Sequence, residues 1–186
     1  MAKANINRGK VLIAEPFMID PNFKRSVVLL CEHEKDGSLG FILNKSLDMQ
    51  INELIADFPE FDSKVHYGGP VQTDTIHYVH NVGNLLDNSH LIQDDVYWGG
   101  DFEKLKLLID TKTIEPKNIK FFVGYTGWSP EQLKEEMKYG SWVISEMDDE
   151  YVFGQGANKS LWNKVMRKKG DTYSVIAQMP DGLTWN

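Results

Sequence analysis

Few residues in this chain have the type and spacing for chemistry. His77 and His80 make an H-x-x-H pair. On a helix they could share a metal ion, but Tyr78 and Val79 between them favour a strand. Strand positions three apart face opposite ways, so the two imidazoles cannot converge. With one cysteine, Cys31, and no second ligand pair at suitable spacing, no metal is expected. Cys31 and His33 share a face if their strand continues, which is the spacing of a thiolate–imidazole nucleophile. No third residue is identifiable to orient the histidine. A small buried hydrophobe beside a hydrogen-bonded histidine explains the same residues.

Two short motifs imitate catalytic ones. Gly127-Trp128-Ser129-Pro130-Glu131 begins like a nucleophile elbow, but Pro130 has no N–H to offer an oxyanion and the second glycine is missing. Ser129, Pro130 and Gln132 instead fit a helix start, with Ser129 as N-cap, proline at N1 and glutamine closing a capping box. Gly154 to Ser160 ends in Lys-Ser, yet Phe153 and Asn158 stand where a phosphate loop needs glycine. A strand-to-helix turn is expected there, and no cofactor. Lys159, Lys164, Arg167, Lys168 and Lys169 form the one basic cluster and could touch nucleic-acid phosphates. The chain carries a formal net charge of −7, which repels a duplex on average, and cations at a helix C-terminus are ordinary.

The elements that must position these residues are readable from periodicity. Ile51, Leu54, Ile55 and Phe58 predict a helix stopped by Pro59. Asp101 caps a second helix with Phe102, Leu105, Leu108 and Ile109 inward. Ser129 to Gly140 gives a third, and 158–169 a fourth with Leu161, Trp162, Val165 and Met166 on its apolar face. Strands are expected over 10–14, 26–32, 39–44, 75–80, 120–125, 142–146 and 173–178. Val27–Leu30 and Phe121–Val123 are apolar at successive positions, so both faces of those strands are covered. Asp36-Gly37 marks a hairpin. Val65-His66-Tyr67-Gly68-Gly69 and Val96-Tyr97-Trp98-Gly99-Gly100 read as two strand ends meeting glycine turns. Early hairpins followed by interspersed helices favour α+β over a doubly wound fold.

Several blocks together resemble the AlgH/YqgE family of small bacterial proteins. They are Gly9-Lys10-Val11-Leu12-Ile13-Ala14 with Pro16, Asp20 and Phe23; Ser26-Val27-Val28-Leu29-Leu30; Glu32-His33; Gly40-Phe41-Ile42-Leu43-Asn44; Gly68-Gly69-Pro70-Val71 with Ile76-His77; and Gly124-Tyr125-Thr126-Gly127-Trp128 with Gln132-Leu133 and Trp142. Phe41 replaces a smaller aliphatic residue and Thr126 an alanine. The resemblance spans about residues 9–162. It implies an α+β fold whose mixed sheets approach a barrel, and one branch of the family is named as a transcriptional regulator of alginate synthesis. It brings no catalytic residue with it. The motif residues Asp20, His33, Asn44, Gly68, Gly69, Pro70, His77, Gly127 and Trp128, with Tyr125 on the aromatic turn, are therefore binding candidates only.

The expectation is one domain over 1–186, with a mixed, partly barrel-like sheet flanked by about four helices. No apolar run exceeds Val27–Cys31, far short of a membrane span, and the first residues lack a signal-peptide core. A lone cysteine suits a reducing, cytoplasmic setting. The leading functional expectation is a non-enzymatic binding or regulatory module whose partner is another protein. A nucleic-acid contact through the basic helix and an enzyme using His33, Asp20 or Cys31 are the alternatives.

Overall fold

A computed structural model describes residues 5–154 and 158–180. Its strands are β1 (Val11–Ala14), β2 (Val27–Glu34), β3 (Gly37–Ile42), β4 (Ser46–Gln50), β5 (Lys64–Tyr67), β6 (Val71–His80), β7 (His90–Gln93), β8 (Val96–Trp98), β9 (Ile119–Trp128) and β10 (Trp142–Ser145). The helices are α1 (Ile51–Leu54), α2 (Phe102–Asp110), α3 (Gln132–Lys138), α4 (Asp149–Phe153), α5 (Asn158–Arg167) and α6 (Asp171–Ala177). The main sheet runs β10-β1-β2-β3-β9-β6-β8-β7, while β5 pairs with β9 and carries β4. Every pairing is antiparallel except β5 with β9. The sheet is thus mixed, and it curls without closing. Gly9, just ahead of β1, packs against the Gln93 side chain of β7, three strands beyond β9 at the far end.

Alternation along buried strands divides the interior into three clusters. Val27, Leu29, Cys31 and Phe122 point to one, filled by Trp162, Val165 and Met166 of α5. Phe121 points the other way, to a cluster under Leu105 and Ile109 of α2. Val28, Leu30 and Ile42 pack with Trp128, Leu133 and Trp142 beneath α3. The successive apolar residues of β2 and β9 are buried because each strand has a cluster on both faces.

Four expectations need correction. The helix from Ile51 is a single turn ending at Leu54, and Leu54 is exposed. Ile51 and Phe58 are both buried, but a turn with Asp57 at φ 60° carries Phe58 inward rather than a helix. Residues 173–178 are not a strand: Tyr173–Ala177 belong to α6, which packs on α5. A helix not foreseen, α4, is capped by Asp148, whose carboxylate accepts from the Glu150 N–H. Finally, α3 starts at Gln132 with Glu131 in the N-cap position and no side-chain cap, so the Ser129 hydroxyl does not cap it. Half of the anticipated box survives, since Gln132 Oε1 accepts from the Ser129 N–H at 3.2 Å.

Candidate functional site

The motif residues serve three local structures. The first is the 15–25 loop between β1 and β2. Asp20 Oδ1 accepts from the Asn22 N–H at 2.9 Å, and the Asp20 carbonyl takes the amides of Phe23 and Lys24. Asn44 clamps the far end of the loop, its Oδ1 accepting from Val27 N–H at 2.9 Å and its Nδ2 donating to the Arg25 carbonyl at 2.8 Å. Between them, Lys45 Nζ donates to the Pro21 and Asn22 carbonyls, and the Tyr67 hydroxyl donates to Asn22 Oδ1. Burial pushes the Lys45 ammonium down, opposed by Asp20, and burial followed by Asp20 pushes the Tyr67 hydroxyl up. The network is satisfied from within, and it holds Phe17 (54% exposed) and Ile19 (92% exposed) outward.

The second is a seam of bare backbone. A Cβ on Gly68 would strike the Gly124 carbonyl, one on Gly69 would strike Tyr125, and one on Gly124 would strike the Gly69 carbonyl. Gly124 has φ 67°, so glycine is required there twice over. The buried Thr126 hydroxyl donates to the Gly68 carbonyl at 3.1 Å. Gly68 and Gly69 are therefore closure points between β5 and β9, and exposed Pro70 turns the chain into β6.

The third separates the two aromatics of the turn. Trp128 goes inward (6% exposed), donating its Nε1–H to Glu136 of α3 and packing on Leu133. It secures the helix through both contacts. Tyr125 faces the opposite way and meets His77 edge-on at 5.8 Å. His77 neighbours Trp98 at 6.5 Å, and Trp98 tilts on His90 at 5.3 Å. Phe41 lies beneath, 5.4 Å from His77 and 6.1 Å from Trp98. Tyr125, His77, Trp98 and His90 come from β9, β6, β8 and β7, the four adjacent strands that end the sheet. Thr75 Oγ1 fixes the ring at His77 Nε2, 2.9 Å away, and burial lowers the basicity of that imidazole. This row is where two motif candidates from distant blocks, His77 and Tyr125, meet. Gly127 stays exposed beside Tyr125.

The other candidates do not converge. His80 lies on the far side of β6 from His77, as the strand spacing requires, and holds the Gly99 carbonyl at 2.8 Å. Cys31 is a bulge residue of β2, fully buried; burial first and then Glu32 push its thiol well up, the reverse of an activated nucleophile. His33 Nδ1 instead meets Ser38 Oγ at 2.7 Å. Asp20 lies in the loop before β2 and His33 near the strand's far end, with the buried run Val27–Cys31 between them. The basic helix is largely engaged: Lys164 pairs with Glu150 at 2.7 Å, Lys168 with Asp148 at 3.3 Å, and Lys169 Nζ donates to the Ile144 carbonyl. The Lys159 side chain and the core of the 154–160 motif lie outside the described residues. Among the described residues no cluster of His, Cys, Asp and Glu could hold a metal, and no helix is long and apolar enough to cross a membrane.

Residues unmarked by sequence carry much of this architecture. Trp98 gave only the signal of its V-x-aromatic-G-G echo, and Glu136 none at all. Lys120 showed one sign, a cation inside the otherwise apolar run Ile119–Val123.

The AlgH-like family model matches residues 11–174. A UPF0301 protein of Chlorobaculum parvum is 42% identical over 176 residues, 95% of this chain and 94% of that one. Another, of Chlorobium luteolum, is 44% identical over 173 residues, covering 93% and 91%. Among solved structures, the AlgH protein of Pseudomonas aeruginosa superposes with a TM-score of 0.72 at 25% identity, covering 98% of this chain and 99% of that one. Protein DIP2367 of Corynebacterium diphtheriae shares the fold, with a TM-score of 0.80 over 96% and 95% at 23% identity. The mixed α+β sheet, the ordered motif blocks and these matches together place the chain in the AlgH-like family.

Proposed function

We propose that this protein is a non-enzymatic binding or regulatory module of the cytoplasm, acting through contact with another protein. The observation that carries the reading is the aromatic row Tyr125, His77, Trp98 and His90. Its rings are partly exposed, rigidly mounted on four strands, and run out to β7, the last strand of the sheet. Leu91 on that edge is 43% exposed. Aromatic side chains fixed on strands offer large contact area at low entropic cost, and a terminal strand offers unpaired backbone groups. A buried, unactivated cysteine suits a reducing compartment.

The test is capture of partners from the native cytoplasm by wild type and by Tyr125→Ala and Trp98→Ala. Tyr139→Ala, an exposed change on α3's end, is the control. A specific partner lost from both row variants, with thermal midpoints close to wild type, supports the proposal. A partner retained by folded row variants overturns it. A contact with nucleic acid through the basic helix has less support, because Lys164 and Lys168 already have carboxylate partners. Enzymatic use of His33, Asp20 and Cys31 lacks a common site.

A further inference from the structure

At the start of β9, on the face it shares with Phe122 and His77, a cleft of about 270 Å³ opens between β4, β5 and the end of α4. Lys120, only 7% exposed, lies in its wall. Lys120 shares its face of β9 with Phe122 and stands opposite Val79 of β6. No carboxylate or carbonyl among the described residues accepts a hydrogen bond from its Nζ. Burial pushes the amine down to about 8. A largely buried ammonium that no protein group accepts from is costly, and lysines held this way, with only the tip open to a cleft, are candidates for ligand contact.

The rest of the lining tells what would complete it. His66 (8% exposed) projects from β5. Lys64 and Asp62 also line the cleft, but Lys64 lies 3.5 Å from Asp48, and Asp62 Oδ1 lies 3.4 Å from Gln50 Nε2. Pro116 and Phe153 supply apolar surface, with buried Ile119 and Val152 behind them. The site therefore offers one uncommitted positive charge, apolar surface beside it, and an acid that disfavours a dianion.

We infer that this cleft binds a small monocarboxylate with a short hydrocarbon tail, its carboxylate on Lys120 Nζ and its tail against Phe153 and Pro116. The ligand supplies the acceptor that the described residues leave out. One ammonium matches one negative charge, so a phosphate dianion beside Asp62 is the poorer fit.

The experiment measures the thermal midpoint of the full chain near pH 7, titrated with butyrate, acetate or inorganic phosphate at ionic strength held constant with chloride. The expected result is a saturable rise with butyrate, half-complete at lower concentration than with acetate, and a phosphate response no larger than chloride's. Lys120→Met should abolish the butyrate response. No rise beyond chloride, an equal rise in Lys120→Met, or phosphate acting at lower concentration than both carboxylates would each overturn the inference. Should Lys120→Met fail to fold, amide chemical-shift mapping of wild type decides: butyrate shifts centred on Lys120, His66 and Phe153 support the site, and shifts centred elsewhere or absent refute it.

Discussion

Trp128 and Trp142 donate their indole N–H groups to the same oxygen, Glu136 Oε2, at 2.9 and 2.8 Å. The rings stand edge-to-face with centroids 6.0 Å apart, and Phe23 meets Trp142 from the other side at 5.7 Å. One carboxylate on α3 thus ties the end of β9 to the start of β10, and Gln132 Nε2 holds its second oxygen at 3.0 Å. Removing it strands two mostly buried donors. Glu136→Ala should cost about 2–4 kcal/mol, since bonds to charged groups are worth more than neutral ones. Glu136→Gln keeps an acceptor and should cost about half as much. Urea denaturation followed by tryptophan fluorescence measures both; a neutral Glu136→Ala would show that the shared bond adds nothing.

Ser129 is a different case from what its motif suggests. Its hydroxyl caps nothing, so Ser129→Ala should change stability by less than about 0.5 kcal/mol. Gln132→Ala loses both the bond from the Ser129 amide and the one to Glu136, and should cost about 1 kcal/mol. Reversal of that order in paired denaturation curves would restore the serine cap.

Asn44 replaces a missing stretch of ladder between β2 and the 15–25 loop. Asn44→Ala leaves the Val27 amide without its acceptor, and Val27 is fully buried. The expected loss is about 1–3 kcal/mol. Proteolysis should then open the chain first within residues 15–25, as read by mass spectrometry of the early fragments. A variant as stable and as resistant as wild type would dismiss the clamp.

The buried lysine sets a pH dependence whose sign is fixed. The folded state holds Lys120's proton less tightly than the unfolded chain, about 8 against 10.5. The cost of keeping it charged is therefore fully present below about pH 8 and disappears as pH rises from there toward 10.5. At its largest it amounts to about 3 kcal/mol. Asp62, Lys64 and His66 also face the cleft, so the clean measurement is the difference between Lys120→Met and wild type in carboxylate-free buffer. The variant should be the more stable near pH 7, and the gap should narrow near pH 10. A variant less stable at pH 7 would show the ammonium is better accommodated than its surroundings indicate.

What the sequence made legible follows from local physics. Val27–Leu30 and Phe121–Phe122 announced strands covered on both faces because hydrophobicity at successive positions has no other use in a sheet. The faces of His77 and His80 followed from strand periodicity alone. What stayed hidden depended on partners distant in the chain. Tyr173–Ala177 looks β-prone, but its packing on α5 makes it helical. The acids that neutralise the basic helix, Asp148 and Glu150, lie outside that helix and nothing local joins them to Lys164 and Lys168. Tyr125 and Trp98 meet the same neighbours only because β6 lies between their strands, and the isolation of Lys120 is a property of every element around it at once.

Strand β9 is the partner of β3, β5 and β6 together, and it is assembled from residues 119–128. While the chain is being synthesised, everything ahead of it must wait. β3 has one neighbour, β5 can pair only with β4, and β6 only with β8 until the last third of the polypeptide emerges. Such long sequence separations slow folding and lengthen the interval during which strand edges are open to other chains. A message truncated before residue 119 would therefore yield an aggregation-prone fragment rather than a smaller domain, and a nascent chain of that length is the stage at which a holding chaperone would have most to protect.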